Sequence, residues 1–420
     1  MDKKTKGAWL LHHTHKLHNV TSQQGFENTF IAGKAGILLS AISKDDQSDV
    51  DNERLNVLAK ASNISTAFEL PVLIKVLSQQ GLIDKGNNGI SVLGVTTAST
   101  LQHATDIFNS LNPSSSEQAV IDLAERASTY PVLVSDVYEE IGDNYRLAKE
   151  DLDQLFDDSE KIGFVDTEKI NKSQTLLFNG NLFRRGTTQK IKLVLDALNT
   201  DEQEKINELR NRLQKSACVS LDEVKNFLGD NLFNKVSSIG LFDISFVSNS
   251  TEKAGFVTLP SAFSKYSNSM VEDAFDLAKA FVSSITYGMT KSNHERGKIQ
   301  MVEALLKTLV RGESVGPVNA IAEDYKILEL KGVVAVKHGS KKGRTGPMLS
   351  LLKKEIGVLA LQVIEQGDIS EHSLSMLPTA AVTEFNGPEA NRERVRRKQI
   401  ETNARSTNDM LFALRTGGGL

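Results

Sequence analysis

The chain has 420 residues, 40% hydrophobic and 24% charged, with 49 basic against 53 acidic side chains and a formal net charge of −4. These totals describe an ordinary globular protein and exclude one coated with positive charge along its whole surface, while leaving room for a local basic site. The single cysteine, Cys218, cannot close an internal disulfide, and its setting KSACVS holds no base to activate it. It reads as a buried structural thiol in a reducing, cytoplasmic compartment.

A chain of this length exceeds one core and predicts about two to four domains. No apolar run reaches the ~18–20 residues that a bilayer span needs, so no membrane partner is expected. The start, MDKKTKGAWLLHHTHKLHN, is basic, but its apolar stretch Ala8–Leu11 is too short for a signal peptide. His12, His13, His15 and His18 make up half of the 8 histidines. Imidazoles three apart share a helical face and can meet a metal, yet structural zinc sites recruit cysteine and none is near. The segment is read as an amphipathic N-terminal helix, with no metal and no cofactor. The next stretch, IAGKAG around Gly33 and Lys34, has the Gly-Lys pair of a phosphate loop. Asn28 stands where that loop needs its first Gly, and Ala35 where it needs a magnesium-binding hydroxyl. No H-E-x-x-H, G-x-S-x-G or paired C-x-x-C occurs, so no enzyme is expected.

Further along, a unit recurs. An apolar helical stretch runs into Gly followed by two apolar residues, then a turn and a second extended segment. The copies are VLIKVLSQQGLID, LDQLFDDSEKIGFVD, LFNKVSSIGLFD and a looser YKILELKGVVAV. Their glycines Gly81, Gly163, Gly240 and Gly332 fall about one small domain apart. Gly after the last periodic residue supplies a left-handed helix cap, and the apolar pair opens a strand. In the first copy, 54–62 reads as a leading helix, Asn63-Ile64-Ser65 as a turn and 67–80 as a second helix, with Pro71 in its first turn. The second and third copies each carry two helices separated by Gly-Asp-Asn, at Gly142-Asp143-Asn144 and Gly229-Asp230-Asn231. Between them, 201–215 reads as an exposed linking helix, and after the third copy 270–287 reads as a helix packed between units or against a second subunit.

Two short helices joined by a Gly-containing turn, then Gly, strand, turn and strand, resemble the winged-helix superfamily repeated in tandem. The resemblance implies a mainly α fold with small β-hairpin wings, tandem winged-helix domains joined by helical connectors. The expected divisions are 1–111, a helical segment with the first unit; 117–185 and 190–265, the second and third units; 266–377, a connector and a fourth unit with a basic wing; and 378–420, a basic polar tail.

The resemblance further implies that a second helix enters the major groove of double-stranded DNA while the wing lies over neighbouring backbone. The second copy carries Asp151, Asp153, Asp157, Asp158 and Glu160 on that helix, which phosphates repel. The third offers Asn234 and Lys235. The fourth carries Lys337, His338, Lys341, Lys342 and Arg344 in KHGSKKGRTGP, with Lys353 just beyond and Gly339, Gly343 and Gly346 letting backbone approach another surface. Arg296, Lys298 and Lys307 would enlarge this patch. Arg396 and Arg397 centre another basic cluster in the tail, and Arg184-Arg185 a third. The expectation is a DNA-binding protein, a bacterial transcription regulator or the DNA-recognition subunit of a larger system, with a homodimer or a partner subunit as company. The alternative is a protein-interaction scaffold of degenerate winged helices that binds no DNA.

Overall fold

A computed structural model describes residues 1–18, 20, 25–43, 49–86, 89–95, 97–171, 173–248, 253–266, 272–290 and 299–368. The fold is mainly helical, with small antiparallel sheets of two or three strands. It opens with α1 (Lys3–His18) and α2 (Glu27–Ser43). Then come β1 (Asp49–Asp51), α3 (Asn52–Ala61), α4 (Glu69–Gln79), β2 (Ile83–Lys85), β3 (Gly89–Val92) and α5 (Thr97–Ser110). The second unit holds α6 (Ser115–Ala127), β4 (Val132–Leu133), α7 (Val134–Tyr145), α8 (Lys149–Ile162), β5 (Asp166–Lys169) and β6 (Thr175–Phe178), and α9 (Thr188–Asp196) leaves it. The third holds α10 (Thr200–Ser216), β7 (Val219–Ser220), α11 (Leu221–Leu228), α12 (Asp230–Ser238), β8 (Asp243–Ser248) and β9 (Lys253–Thr258). After α13 (Pro260–Ser264) and α14 (Glu272–Thr290), the fourth has α15 (Val302–Val310), α16 (Ile321–Asp324), α17 (Lys326–Leu330), β10 (Val334–Lys341), β11 (Arg344–Leu351) and α18 (Lys354–Gln366).

One order therefore recurs: helix, short strand, two helices, hairpin. In the first three units the short strand pairs with the last, giving β1-β3-β2, β4-β6-β5 and β7-β9-β8. In the fourth that strand shrinks to a single antiparallel bridge, Val315 to Leu349. The four repeat glycines share one conformation, with φ of 66, 90, 65 and 64° at Gly81, Gly163, Gly240 and Gly332. Each turns the chain out of a helix in the left-handed region that side chains with a Cβ avoid.

The two Gly-Asp-Asn copies diverge. Gly229, at φ 77°, separates α11 from α12 as its sequence suggests. The second copy departs from expectation, because α7 runs on through Gly142-Asp143-Asn144 and ends at a left-handed Arg146. Gly142 is used for packing, since a Cβ there would stand 3.0 Å from Leu152 Cδ2 on α8.

Two further expectations are corrected. The N-terminal helix is not amphipathic: from Gly7 to Leu17 only His15 escapes burial. It lies against α2 and α5, and glycines permit the approach. A Cβ on Gly7 would come 2.0 Å from Leu101 O, one on Gly33 1.8 Å from Thr14 Oγ1, and one on Gly36 3.0 Å from Leu11 Cδ1. IAGKAG is thus a helix-packing surface. Lys34 within it is buried, donating to Glu69 at 2.6 Å and to the Asn63 carbonyl at 3.0 Å, over the ring of Phe30. The charged 201–215 segment is no linker either. Its Ile206, Leu209 and Leu213, spaced for one helical face, are buried as α10 packs into the third unit.

The apolar side chains gather into two cores, one shared by the first two units with α1, α2 and α5, the other by the last two with α14 and α18. The cores are stitched together. Along β6, neighbouring Leu177 and Phe178 point to opposite faces and enter different cores. Tyr266 crosses the other way, its ring 5.0 Å from Trp9. Beside it, Glu125 accepts from Trp9 Nε1 at 2.6 Å and pairs with Lys265 at 2.5 Å, and Asn179 Nδ2 donates to the Lys265 carbonyl. On the N-terminal side, buried Glu117 accepts from Thr29 N and Asn28 Nδ2 and also closes the capping box with Ser114, tying α6 to the start of α2.

His13 lies inside the first core, 4.1 Å from the ring of Phe164, and neither ring nitrogen has a hydrogen-bond partner among the described residues. Burial, helped by Lys16, lowers its pKa from 6.5 to about 3. The unfolded imidazole therefore takes up its proton first as pH falls. Native stability is lost between about pH 6.5 and 3, at up to 1.4 kcal/mol per pH unit for this one group. Replacing His13→Leu should shallow the stability–pH profile in that window by about one proton, measured by urea unfolding; an unchanged slope would contradict this. Replacing Gly7→Ala should destabilise by about 1–3 kcal/mol through overpacking against the Leu101 backbone, again read by urea unfolding.

Candidate nucleic-acid interface

The β10–β11 hairpin is the longest ladder among the described residues, with eight pairs from Val334–Leu351 to Lys341–Arg344. Its base is fixed by apolar burial, Val334 and Leu349 lying in the second core. From Lys337 to Thr345 it leaves the body, and every residue but Gly339 is exposed. The turn is Lys342-Gly343, with φ of 51° and 74°. Two central residues with positive φ make a type I′ turn, whose twist suits a two-residue hairpin and whose usual first residue is Asn. Here a lysine holds that position, in a conformation that costs a side chain with a Cβ about 1–2 kcal/mol.

Register decides which cations share a face. Lys337 pairs with Met348 and Lys341 with Arg344, so these four side chains stand on one side, while His338 and Ser340 fall on the other. Lys337, Lys342 and Arg344 have no carboxylate partner among the described residues, whereas the Lys341 ammonium is drawn back to the Ser314 carbonyl at 3.1 Å. The glycines do not serve as expected. The space beside Gly339 is taken by Met348 Sδ, at 2.7 Å from where a Cβ would stand, and buried Gly346 faces Pro317. Only Gly343 has open space around it. Two of the three thus accommodate this chain's own side chains.

The other expected residues are dispersed. Lys353 is half-buried before α18, its N–H donating to Val333 O, and strand rise puts it roughly 25 Å from the tip. Asn234 is exposed on α12, in the third unit, and its neighbour Lys235 is ion-paired with Glu202 at 2.7 Å. Lys307 is held by Glu365 at 2.6 Å, and Arg185 stands 3.6 Å from Asp166. Arg396, Arg397, Arg296 and Lys298 lie outside the described residues. Lys326 and Lys331, exposed at either end of α17, were not singled out from the sequence. The signal was there, since they flank the helical part of the fourth repeat copy.

The second helices differ in kind. On α8 the acids Glu150, Asp151, Asp153, Asp157 and Glu160 are exposed, Asp153 accepting from the Tyr138 hydroxyl. The fourth unit pairs the shortest of these helices, five residues in α17, with the longest hairpin. Among the described residues, no group of three or more His, Cys, Asp or Glu is placed to hold a metal, and no helix is long and apolar enough to cross a membrane. No protein-family model matches the chain, and no curated protein matches it.

The strained lysine gives a direct check on the turn. Replacing Lys342→Asn should raise stability by about 1 kcal/mol in urea unfolding, because Asn tolerates the left-handed region. No gain would mean that the turn is not held in this conformation.

Proposed function

We propose that this is a tandem winged-helix protein that binds double-stranded DNA through the basic hairpin of its fourth unit. The supporting observation is the group of cations Lys337, Lys342 and Arg344 along one exposed hairpin, none of them with a carboxylate partner among the described residues. The recurring order of helix, strand, two helices and hairpin, with the short strand against the last, supports the winged-helix reading.

In this reading the hairpin docks electrostatically on backbone phosphates, each contact releasing condensed counterions. With so short an α17, base reading is slight and the binding is mainly independent of sequence. No catalysis is involved. The role that fits is a cytoplasmic bacterial regulator, or the DNA-contacting subunit of a larger assembly. A second reading, a scaffold that binds proteins and no DNA, draws support from the exposed acids of α8.

Fluorescence anisotropy with a duplex at several salt concentrations separates the two. The wild-type chain should bind at low salt, and changing Lys337, Lys342 and Arg344 together to Ala should flatten the log–log salt dependence by about 2–3. Absence of binding at low salt, or an unaltered slope in the triple variant, would leave the scaffold reading standing.

A further inference from the structure

Where the two cores meet they leave a cavity of about 550 Å³. One wall belongs to the first core, through the start of α1 and the turn of α6 that carries Asp122 and Glu125. The other belongs to the second, through Ser261, Lys265 and the ends of α10 and α18 at Gln214 and Gln366. Gly367 lets those two ends meet, since a Cβ there would come 2.1 Å from Gln214 O. A space of this size suits a small-molecule ligand.

The cavity is electronegative. Asp2, Asp122, Glu125 and Asp368 line it, with Lys4 and Lys265 as the lysines among them. The C-terminal carbonyls of α10 and α18 add the negative ends of two helix dipoles. The acids of α6 are not used up by their neighbours. Asp122 pairs with Arg126 through Oδ2, and Glu125 holds Trp9 and Lys265 through Oε2. Asp122 Oδ1 and Glu125 Oε1 have no partner among the described residues. The Lys265 ammonium shows what this wall accepts, since it also lies over the rings of Trp9 and Tyr266. Tyr266 is a separate sign of a ligand. Its side chain is 3% exposed, and its hydroxyl makes no hydrogen bond of ordinary geometry among the described residues. Burial, then the charges of Asp368, Glu125 and Asp2, hold the phenol well above its usual pKa, which places the hydroxyl toward the acids of the cavity. A buried hydroxyl left in that state costs stability until something meets it.

We propose that this cavity binds a small aliphatic polyamine whose ammonium groups bridge its two walls. The spacing of the acids selects the class. Among the described residues no three His, Cys, Asp or Glu side chains stand close enough to hold one metal ion, so a compact divalent cation finds no cage here. A flexible chain with amines several bonds apart can give one ammonium to the open oxygens of Asp122 and Glu125. Another then reaches Asp368 and the carbonyl end of α18, with Leu259 and Ala262 against the methylenes between.

Isothermal titration calorimetry of the full-length chain with spermidine tests this, and without nucleic acid present the outcome is independent of the DNA reading. In about 0.15 M salt one spermidine should bind per chain, while magnesium chloride and the monoamine butylamine should bind at least about tenfold more weakly. Asp122→Asn should weaken spermidine about tenfold or more, and Tyr266→Phe about threefold, each with unchanged circular dichroism. Glu125 is left intact in these variants because it holds Lys265. Glu150→Gln/Asp151→Asn, on the exposed start of α8, should leave the affinity unchanged. A wild-type chain that takes up no spermidine or several, equal affinity for magnesium, unaltered affinity in Asp122→Asn or Tyr266→Phe, or an equal loss in the α8 variant would each overturn the proposal.

Discussion

A unit of three short helices and a two- or three-stranded sheet buries too little apolar surface to stand alone with ease, and this constraint organises the molecule. The four units are paired into two cores, and added helices enlarge each: α1, α2 and α5 for the first, α14 and α18 for the second. Close packing of the added helices needs side chains to be missing at the contacts. Gly7, Gly33 and Gly36 meet that need in the first core, and Gly357 plays the same part on α18, where a Cβ would come 2.3 Å from Leu351. The strand alternation of Leu177 and Phe178, with Tyr266 crossing in return, then makes the two cores into one body.

Pairing the units also decides which surfaces stay outward. Once the inner faces are committed, the outward faces of the second helices are free to diverge, and they have. One is apolar around Phe68, one acidic along α8, and one reduced to the five residues of α17. The same scaffold thus offers chemically different surfaces at different places. Fold by itself would not separate these roles; the side chains at each site do.

At the hairpin, local stability and charge pull in opposite directions. Asn would relax the turn at position 342, yet Lys carries a cation to the exposed end of the hairpin. Distance from acids matters because a lysine already paired with a carboxylate cannot neutralise another anion without giving up that pair. Lys235 beside Glu202 and Lys307 beside Glu365 illustrate that fate. The Ser314 carbonyl, which draws Lys341 back, costs no charge and leaves Lys342 and Arg344 at the tip, with Lys337 further down the same hairpin.

The sequence by itself determined the features that depend on neighbours along the chain. Gly81, Gly163, Gly240 and Gly332 mark helix ends because positive φ is a local demand, and the Lys and Arg content of the hairpin was plain because a tight turn keeps its residues together. Tertiary structure decided the rest, through contacts between residues far apart in the chain. Gly142 and Gly229 sit in the same Gly-Asp-Asn, yet Leu152 packs on the first and keeps its helix intact, while the second breaks. His13 looked like one turn of an amphipathic face until α2, α5 and Phe164 closed around it. Lys235 looked available until Glu202, on another helix, neutralised it. Backbone preference is written residue by residue, whereas burial and ion pairing belong to whichever surfaces the folded chain brings together.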